Sequence, residues 1–263
     1  RIIFPIVLTF LFLAFVAVQP AYAATRYIDP IFSDVDITKN TPYGTYRELQ
    51  LDVYAPKNDA ETKRAAIIFV HGGSFYAGSK ETYRSEATKY AKRGFVAIPV
   101  NYRLQNHAVT PGSPDIGPVT QQAKYDVLAA VRWARAHAND YKIHPDRIII
   151  AGSSAGAWTS LYAAYDTANV GTSGNPGVSS KVAAAVSFAG GMSPKDVTLI
   201  EKGEPPGILL HGTTDTIVPI ALPRSVYTQL QNIGIPSEFH SYPGGHGAPN
   251  NADAHNKVRR FLE

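Results

Sequence analysis

Arg147-Ile148-Ile149-Ile150-Ala151-Gly152-Ser153-Ser154-Ala155-Gly156-Ala157-Trp158 passes from a short apolar run through a Gly/Ser turn into a helical pattern. The run Ile148-Ile149-Ile150 does not alternate with polar residues, as expected of a strand covered on both faces. The turn Gly152-Ser153-Ser154-Ala155-Gly156 has the G-x-S-x-G form in the strand–turn–helix context that a nucleophile elbow requires. Such a turn holds the central serine in strained backbone geometry, and the flanking glycines leave room for neighbouring backbone. It aims the Ser154 hydroxyl away from the sheet at the start of a helix. Ser153 reads as a turn-forming neighbour.

Working outward, further continuous apolar runs occupy Ala66–Val70, Phe95–Val100, Val182–Phe188 and Ile208–Leu210. Helical patterns lie between them at Thr82–Arg93, Thr120–Ala138, from Ser154 onward, and at Pro219–Asn232, with a proline in the first turn of the last. Buried strands alternating with helices predict a mostly parallel sheet with helices on both faces, with its reactive loops at the carboxyl ends of the strands. Thr45–Tyr54 alternates instead. Leu49, Leu51 and Val53 share one face, and Glu48, Gln50 and Asp52 share the other, which predicts a half-buried antiparallel strand near an edge. Gln105–Val119 and Ala168–Ser180 are candidate wall loops, and Gly190–Gly207 has room for little more than one short helix. One domain with a minimal cap is expected.

A second loop follows the strand Ile67–Val70: His71-Gly72-Gly73-Ser74-Phe75. Acyl transfer develops an oxyanion that needs preorganised donors, and glycines let backbone N–H groups approach closely. Gly72 and Gly73 are the candidate donors here, joined by the N–H of Ala155 after the serine. His71 reads as structural. A nucleophilic serine also needs a base and an orienting carboxylate, in the chain order serine, acid, histidine. Asp215 follows the strand Ile208–Leu210, and Asp196 is its rival after the preceding strand. His246 lies in Tyr242-Pro243-Gly244-Gly245-His246-Gly247, after the last expected strand, Ser237–Tyr242, and before a C-terminal helix. Its rivals read differently: His211 as a packed strand-end residue, His240 as part of an alternating strand, His255 as a solvated helix residue. Tyr76 and Trp158 are candidates for substrate contact, with core packing an equal alternative.

The chain has 263 residues, a formal net charge of +4 and no cysteine. Without thiols there is no disulfide framework, no cysteine nucleophile and no thiolate metal site. So small a basic excess, with no basic run, gives no reason to expect nucleic acid as a partner. No residue cluster has metal-ligand spacing, and no phosphate- or dinucleotide-binding glycine motif precedes the first helix, so neither metal nor cofactor is expected. Arg1, the apolar run Ile2–Val18 and Ala21-Tyr22-Ala23 predict a secretory signal peptide cleaved after Ala23, with a retained membrane anchor as the alternative. The catalytic domain then spans residues 24–263, secreted or periplasmic, without stable membrane insertion.

These stretches carry a resemblance. Leu51-Asp52-Val53-Tyr54-Ala55-Pro56, His71–Gly78, Asn101-Tyr102-Arg103-Leu104, Gly152–Gly156, His211–Pro219 and Gly244–Gly247 occur in the order found in secreted bacterial carboxylesterases and lipases. The chain resembles that α/β-hydrolase superfamily, including hormone-sensitive-lipase-like and feruloyl-esterase-like members. It departs from the former in having only residues 24–45 where a helical cap would stand, and in having Ser153 where many have Asp. The resemblance implies a Ser154-Asp215-His246 triad, oxyanion donors Gly72, Gly73 and Ala155, and metal-free hydrolysis of small-molecule or polymer-linked esters, with short acyl groups preferred because no large cap buries a long chain. A peptidase of the prolyl-oligopeptidase type and a non-enzymatic binding module on the same fold are the two other readings.

Overall fold

Period-two burial organises the core of the computed structural model, which describes residues 25–263. Eight strands form one sheet in the order β1-β2-β4-β3-β5-β6-β7-β8. They are β1 (Val35–Pro42), β2 (Gln50–Pro56), β3 (Arg64–Val70), β4 (Val96–Val100), β5 (Ile143–Ser153), β6 (Ala184–Phe188), β7 (Gly207–Gly212) and β8 (Ser237–Tyr242). β1 and β2 pair antiparallel with their neighbours, and every pairing from β4 to β8 is parallel. Along β3, Ala66, Ile68 and Val70 enter one core while Ile67 and Phe69 enter the other. The first core packs against α2 (Ile116–Ala136), α3 (Ala155–Tyr165) and α4 (Ala221–Asn232), and the second against α1 (Arg84–Ala91) and α5 (Ala252–Phe261). The mostly parallel sheet with helices on both faces, expected from the apolar runs, is therefore present. Gly190–Gly207 holds only the 3-10 turn Pro194–Leu199.

Three features depart from the sequence reading. β1 was not expected, because as an edge strand it is exposed along most of its length, and its alternation, Val35-Asp36-Ile37-Thr38, stops after two apolar residues. The expected strand Thr45–Tyr54 starts only at Gln50, the preceding residues being turn. Asp52, expected on its solvent face, is 3% exposed. The reason is a buried lysine. Lys80, in the 3-10 turn Lys80–Tyr83 after the glycine loop, sets its ammonium 2.8 Å from Asp52 Oδ1, 2.8 Å from Glu81 Oε1 and 2.8 Å from Asn40 Oδ1. Asp52 Oδ1 also accepts the Asn40 N–H at 2.8 Å, and the Lys80 N–H donates to Asn101 Oδ1 at 2.7 Å. The network ties β1, β2 and the end of β4 to the loop that follows β3.

No helix of the described residues is long and apolar enough to cross a membrane. The expected signal segment, residues 1–23, lies outside the described residues.

Asp52→Ala leaves the buried Lys80 ammonium with only one carboxylate, the half-exposed Glu81, and takes the acceptor from the Asn40 N–H. Leaving a buried polar group unsatisfied costs about 1–3 kcal/mol, so the variant should lose about that much free energy of unfolding, read as a lower denaturant midpoint at unchanged slope. A loss under about 1 kcal/mol, the worth of an exposed pair, would show that Lys80 finds solvent instead.

Candidate active site

Ser154 is the one residue between the end of β5 and the start of α3, with φ 55° and ψ −123°. A non-glycine residue held at positive φ costs about 1–3 kcal/mol, and the surroundings must impose it. They do so by contact. A Cβ on Gly156 would lie 2.0 Å from the Val70 carbonyl oxygen, and one on Gly152 would lie 2.3 Å from the Gly156 backbone. Only glycine permits α3 to start so close to the end of β3. The Ser154 N–H donates to the Phe188 carbonyl at 2.9 Å, which fixes the turn to β6.

The Ser154 hydroxyl donates to His246 Nε2 at 2.8 Å, and His246 Nδ1–H donates to Asp215 Oδ2 at 2.7 Å. His246 sits on the loop after β8 and keeps 23% of its side chain exposed, whereas the Asp215 side chain is fully covered. Asp215 Oδ1 accepts the Ile217 and Val218 N–H groups at 2.9 and 3.0 Å. Burial alone would raise this carboxyl. The His246 hydrogen bond and the two backbone donors outweigh it, so Asp215 is held below the ordinary carboxylate range. Asp196 stands elsewhere, accepting from the Tyr162 hydroxyl at 2.6 Å.

The other histidines are separated by their surroundings. His71 is buried, stacked on Tyr102 at 4.4 Å and bonded through Nδ1 to the Gly72 carbonyl at 2.8 Å; burial pushes its pKa down. His211 is fully buried and also pushed down by burial. Its Nε2–H donates to the Val218 carbonyl at 2.8 Å and lies 3.1 Å from Asp215 Oδ2. His240 sits beside Glu238 at 2.7 Å on β8. His255, expected in solvent, is a correction: its side chain is 14% exposed, 5.0 Å from the Phe188 ring and 3.4 Å from Glu86. Its face of α5 packs toward α1 and the sheet.

The loop after β3 lies directly against the serine. A Cβ on Gly72 would stand 3.1 Å from Ser154 Cβ, and Gly73 has φ 116° with no space for a side chain beside Ala77. The Gly72 and Gly73 N–H groups have no acceptor among the described residues. The Ala155 N–H, in the first turn of α3, has no helical acceptor. Two recesses meet at Ser154. One, with space of only about 10 Å³, is lined by Phe75, Val109, Pro111, Ile116, Trp158 and Val218. The other, about 400 Å³ and open, is lined by Gly72, Gly73, Thr82, Tyr83, His246 and Asn250. Ser74 and Ile217 border both. Trp158 is 2% exposed and donates its indole N–H to Thr120 Oγ1 at 3.0 Å. Tyr76 is 52% exposed and lines neither recess. A further hollow of similar size, between Asp36, Arg64 and Lys142, lies at the amino ends of the parallel strands and contains none of these residues.

Sequence reasoning missed Ile217, Phe188 and the Thr82-Tyr83 and Pro249-Asn250 rims. Ile217 gave no sequence signal, because its exposure is visible only in the structure. The rims carry no motif.

Two family descriptions match this chain: BD-FAE over residues 51–193, and Phospholipase/Carboxylesterase over residues 128–263. The chain is 30% identical over 115 residues to a fumonisin B1 esterase of Sphingopyxis macrogoltabida, covering 41% of this chain and 21% of that one. It is 27% identical over 243 residues to the probable carboxylic ester hydrolase LipM of Mycobacterium tuberculosis, covering 77% and 54%. The chain thus spans between about a fifth and about half of the length of these curated relatives. A propionate-bound esterase of Thermogutta terrifontis superposes with a TM-score of 0.70 at 23% identity, over 86% of this chain and 91% of that one, a likeness of fold.

Because Asp215 is depressed in the folded chain, it contributes stability above the ordinary carboxylate pKa, near pH 4, that is lost as pH falls through the folded value. The unfolded chain takes up this proton first. The wild type should therefore lose its stability advantage over Asp215→Asn as pH falls from about 6 to about 2. An advantage independent of pH over that range would contradict the assignment of the shift.

Proposed function

The chain belongs to the α/β-hydrolase carboxylesterases, matching their BD-FAE and Phospholipase/Carboxylesterase families, and on that premise we propose that it is a serine carboxylesterase with Ser154 as nucleophile, His246 as general base and acid, and Asp215 as the orienting carboxylate. The observation that carries this reading is the continuous pair of hydrogen bonds from the Ser154 hydroxyl through His246 to Asp215. Ser154 attacks the ester carbonyl as its proton passes to His246 Nε2. The tetrahedral oxyanion turns toward the N–H groups of Gly72, Gly73 and Ala155, which are free to receive it. His246 then returns the proton to the leaving alcohol, and water repeats the sequence on the acyl-enzyme, releasing the acid. Asp215 stabilises the imidazolium formed in each half.

The two recesses divide the substrate. The alcohol leaves with a proton from His246, so it occupies the open recess that His246 lines. The acyl group then points into the narrow apolar one, whose space is about that of a single water-sized group. That favours acetyl and, with small side-chain movement, propionyl or butyryl. The propionate held by the Thermogutta esterase supports a short acyl group in a site of this fold. Residues 1–23 are read as an export signal, which would set the enzyme outside the cytoplasm.

Ser154→Ala should reduce ester turnover by about 10⁶-fold with the fold retained, and Asp215→Asn by about 10⁴-fold. Near wild-type hydrolysis by Ser154→Ala would end the proposal. Across p-nitrophenyl esters, kcat/KM should peak within acetyl to butyryl, and Ile116→Ala should move the peak to longer chains. The gain per added methylene should approach about four-fold, the worth of about 0.8 kcal/mol of burial. A wild-type peak at long chains would reject the acyl assignment.

A further inference from the structure

The open recess adjoins a second hollow. Asn250, which lines the recess, also lines a groove of about 330 Å³ between α1 and α5, and the Phe188 ring joins the two again by packing on His255. Glu86, Lys89 and Arg93 stand at spacings of three and four, and Asn251, His255 and Arg259 at spacings of four, so each set shares one face. The groove is cationic. Of the residues lining it one, Glu86, is a carboxylate, and it is already shared between Lys89 at 3.2 Å and His255 at 3.4 Å.

Among the described residues neither Arg93 nor Arg259 pairs with a carboxylate. Arg93 spends two donors on the Ile28 and Lys89 carbonyls, at 2.9 and 2.8 Å, and Arg259 donates to Asn256. Both are half-buried. Burial and the repulsion of Arg259 hold Arg93 below the ordinary arginine value, with Tyr90, Glu86 and Asp29 opposing only in part. His255 is pushed down as well, by burial first and then by Arg259, Lys89 and Arg93, against the pull of Glu86. Its Nδ1 is buried with no hydrogen-bond partner among the described residues. Guanidinium groups that share a groove with a single, already engaged carboxylate are costly to hold, and their planar donors suit carboxylate or phosphate.

We propose that the alcohol half of the substrate carries an anionic group, a carboxylate or a phosphate, which binds in the groove formed by Lys89, Arg93, Asn251, His255 and Arg259. This rests on the Ser154 reading, because the alcohol leaves on the side that His246 lines, and that recess borders the groove at Asn250. The ester bond hydrolysed is unchanged: water supplies OH to the acyl carbon and H to the alcohol oxygen, and the anionic group only anchors the alcohol.

The test uses acetate esters of ω-hydroxy carboxylic acids of increasing length, the matching primary amides as neutral counterparts, and the matching phosphates. At one length kcat/KM for an anionic ester should exceed that for the amide by about ten-fold, the worth of one charge-assisted hydrogen bond. The carboxylate and phosphate arms show which anion is preferred. The preference should shrink as salt rises from about 0.05 to about 0.5 M. Lys89→Glu and Arg259→Glu should abolish it while leaving turnover of the amide series unchanged; Lys89, with 59% of its side chain exposed, guards against a folding artefact. Equal turnover of charged and neutral esters at every length, or a preference that survives both charge reversals, overturns the inference alone. Failure to turn over any of the three series would overturn the Ser154 reading and this inference with it.

Discussion

Backbone contact between the end of β3 and the start of α3 is the constraint on which the rest of the site depends. Gly156 has the Val70 and His71 carbonyls where a side chain would be, and Gly152 has the Gly156 backbone. Because nothing separates these segments, α3 starts directly against β3, and the turn that leads into it from β5 holds Ser154 at φ 55°. The same closeness brings Gly72 and Gly73 beside the serine with free N–H groups. The proposed nucleophile and the proposed oxyanion donors are thus products of one packing event. The Lys80 network and the Tyr102 hydroxyl, which donates to the His71 carbonyl at 3.0 Å, hold the glycine loop from its other side.

Electrostatics completes what packing begins. Asp215 is covered yet ionised because three N–H donors serve it, and the nearby His211 is held toward its neutral form by burial. His246 is therefore the histidine that meets both Asp215 and the serine, and its partly exposed loop lets it face an incoming ester. The proposed oxyanion donors are backbone groups fixed in place before any substrate arrives, so in that reading little reorganisation accompanies charge development.

Much of this was legible in the sequence, for identifiable reasons. β3 to β7 announced themselves because strands buried on both faces must be apolar throughout, and Gly152–Gly156 because its glycines are sterically compelled. Chain order separated Asp215 from Asp196, and a Gly-rich loop after the last strand marked His246. What escaped notice is held by tertiary partners that leave no local pattern. β1 is solvated, so its residues keep no sustained apolar period. Asp52 looked outward-facing because its partner, Lys80, lies 28 residues later on a loop. His255 looked solvated because polar residues on α5 meet polar residues on α1, a pairing that hydrophobic periodicity does not register. Tyr76 sits beside the glycine loop in sequence, but the turn at Ser74 and Phe75, both at positive φ, carries the chain past the site before Tyr76 is reached, leaving Phe75 to face the small recess.

If His246 activates Ser154 as a nucleophile, a fluorophosphonate should mark it, read by weighing the intact chain and then by peptide mapping. One adduct per chain is expected, on Ser154, formed rapidly in the wild type and lost when His246 is replaced by alanine. A wild type that stays unlabelled, or a label on Ser153 or another hydroxyl with Ser154 unmodified, would contradict that activation.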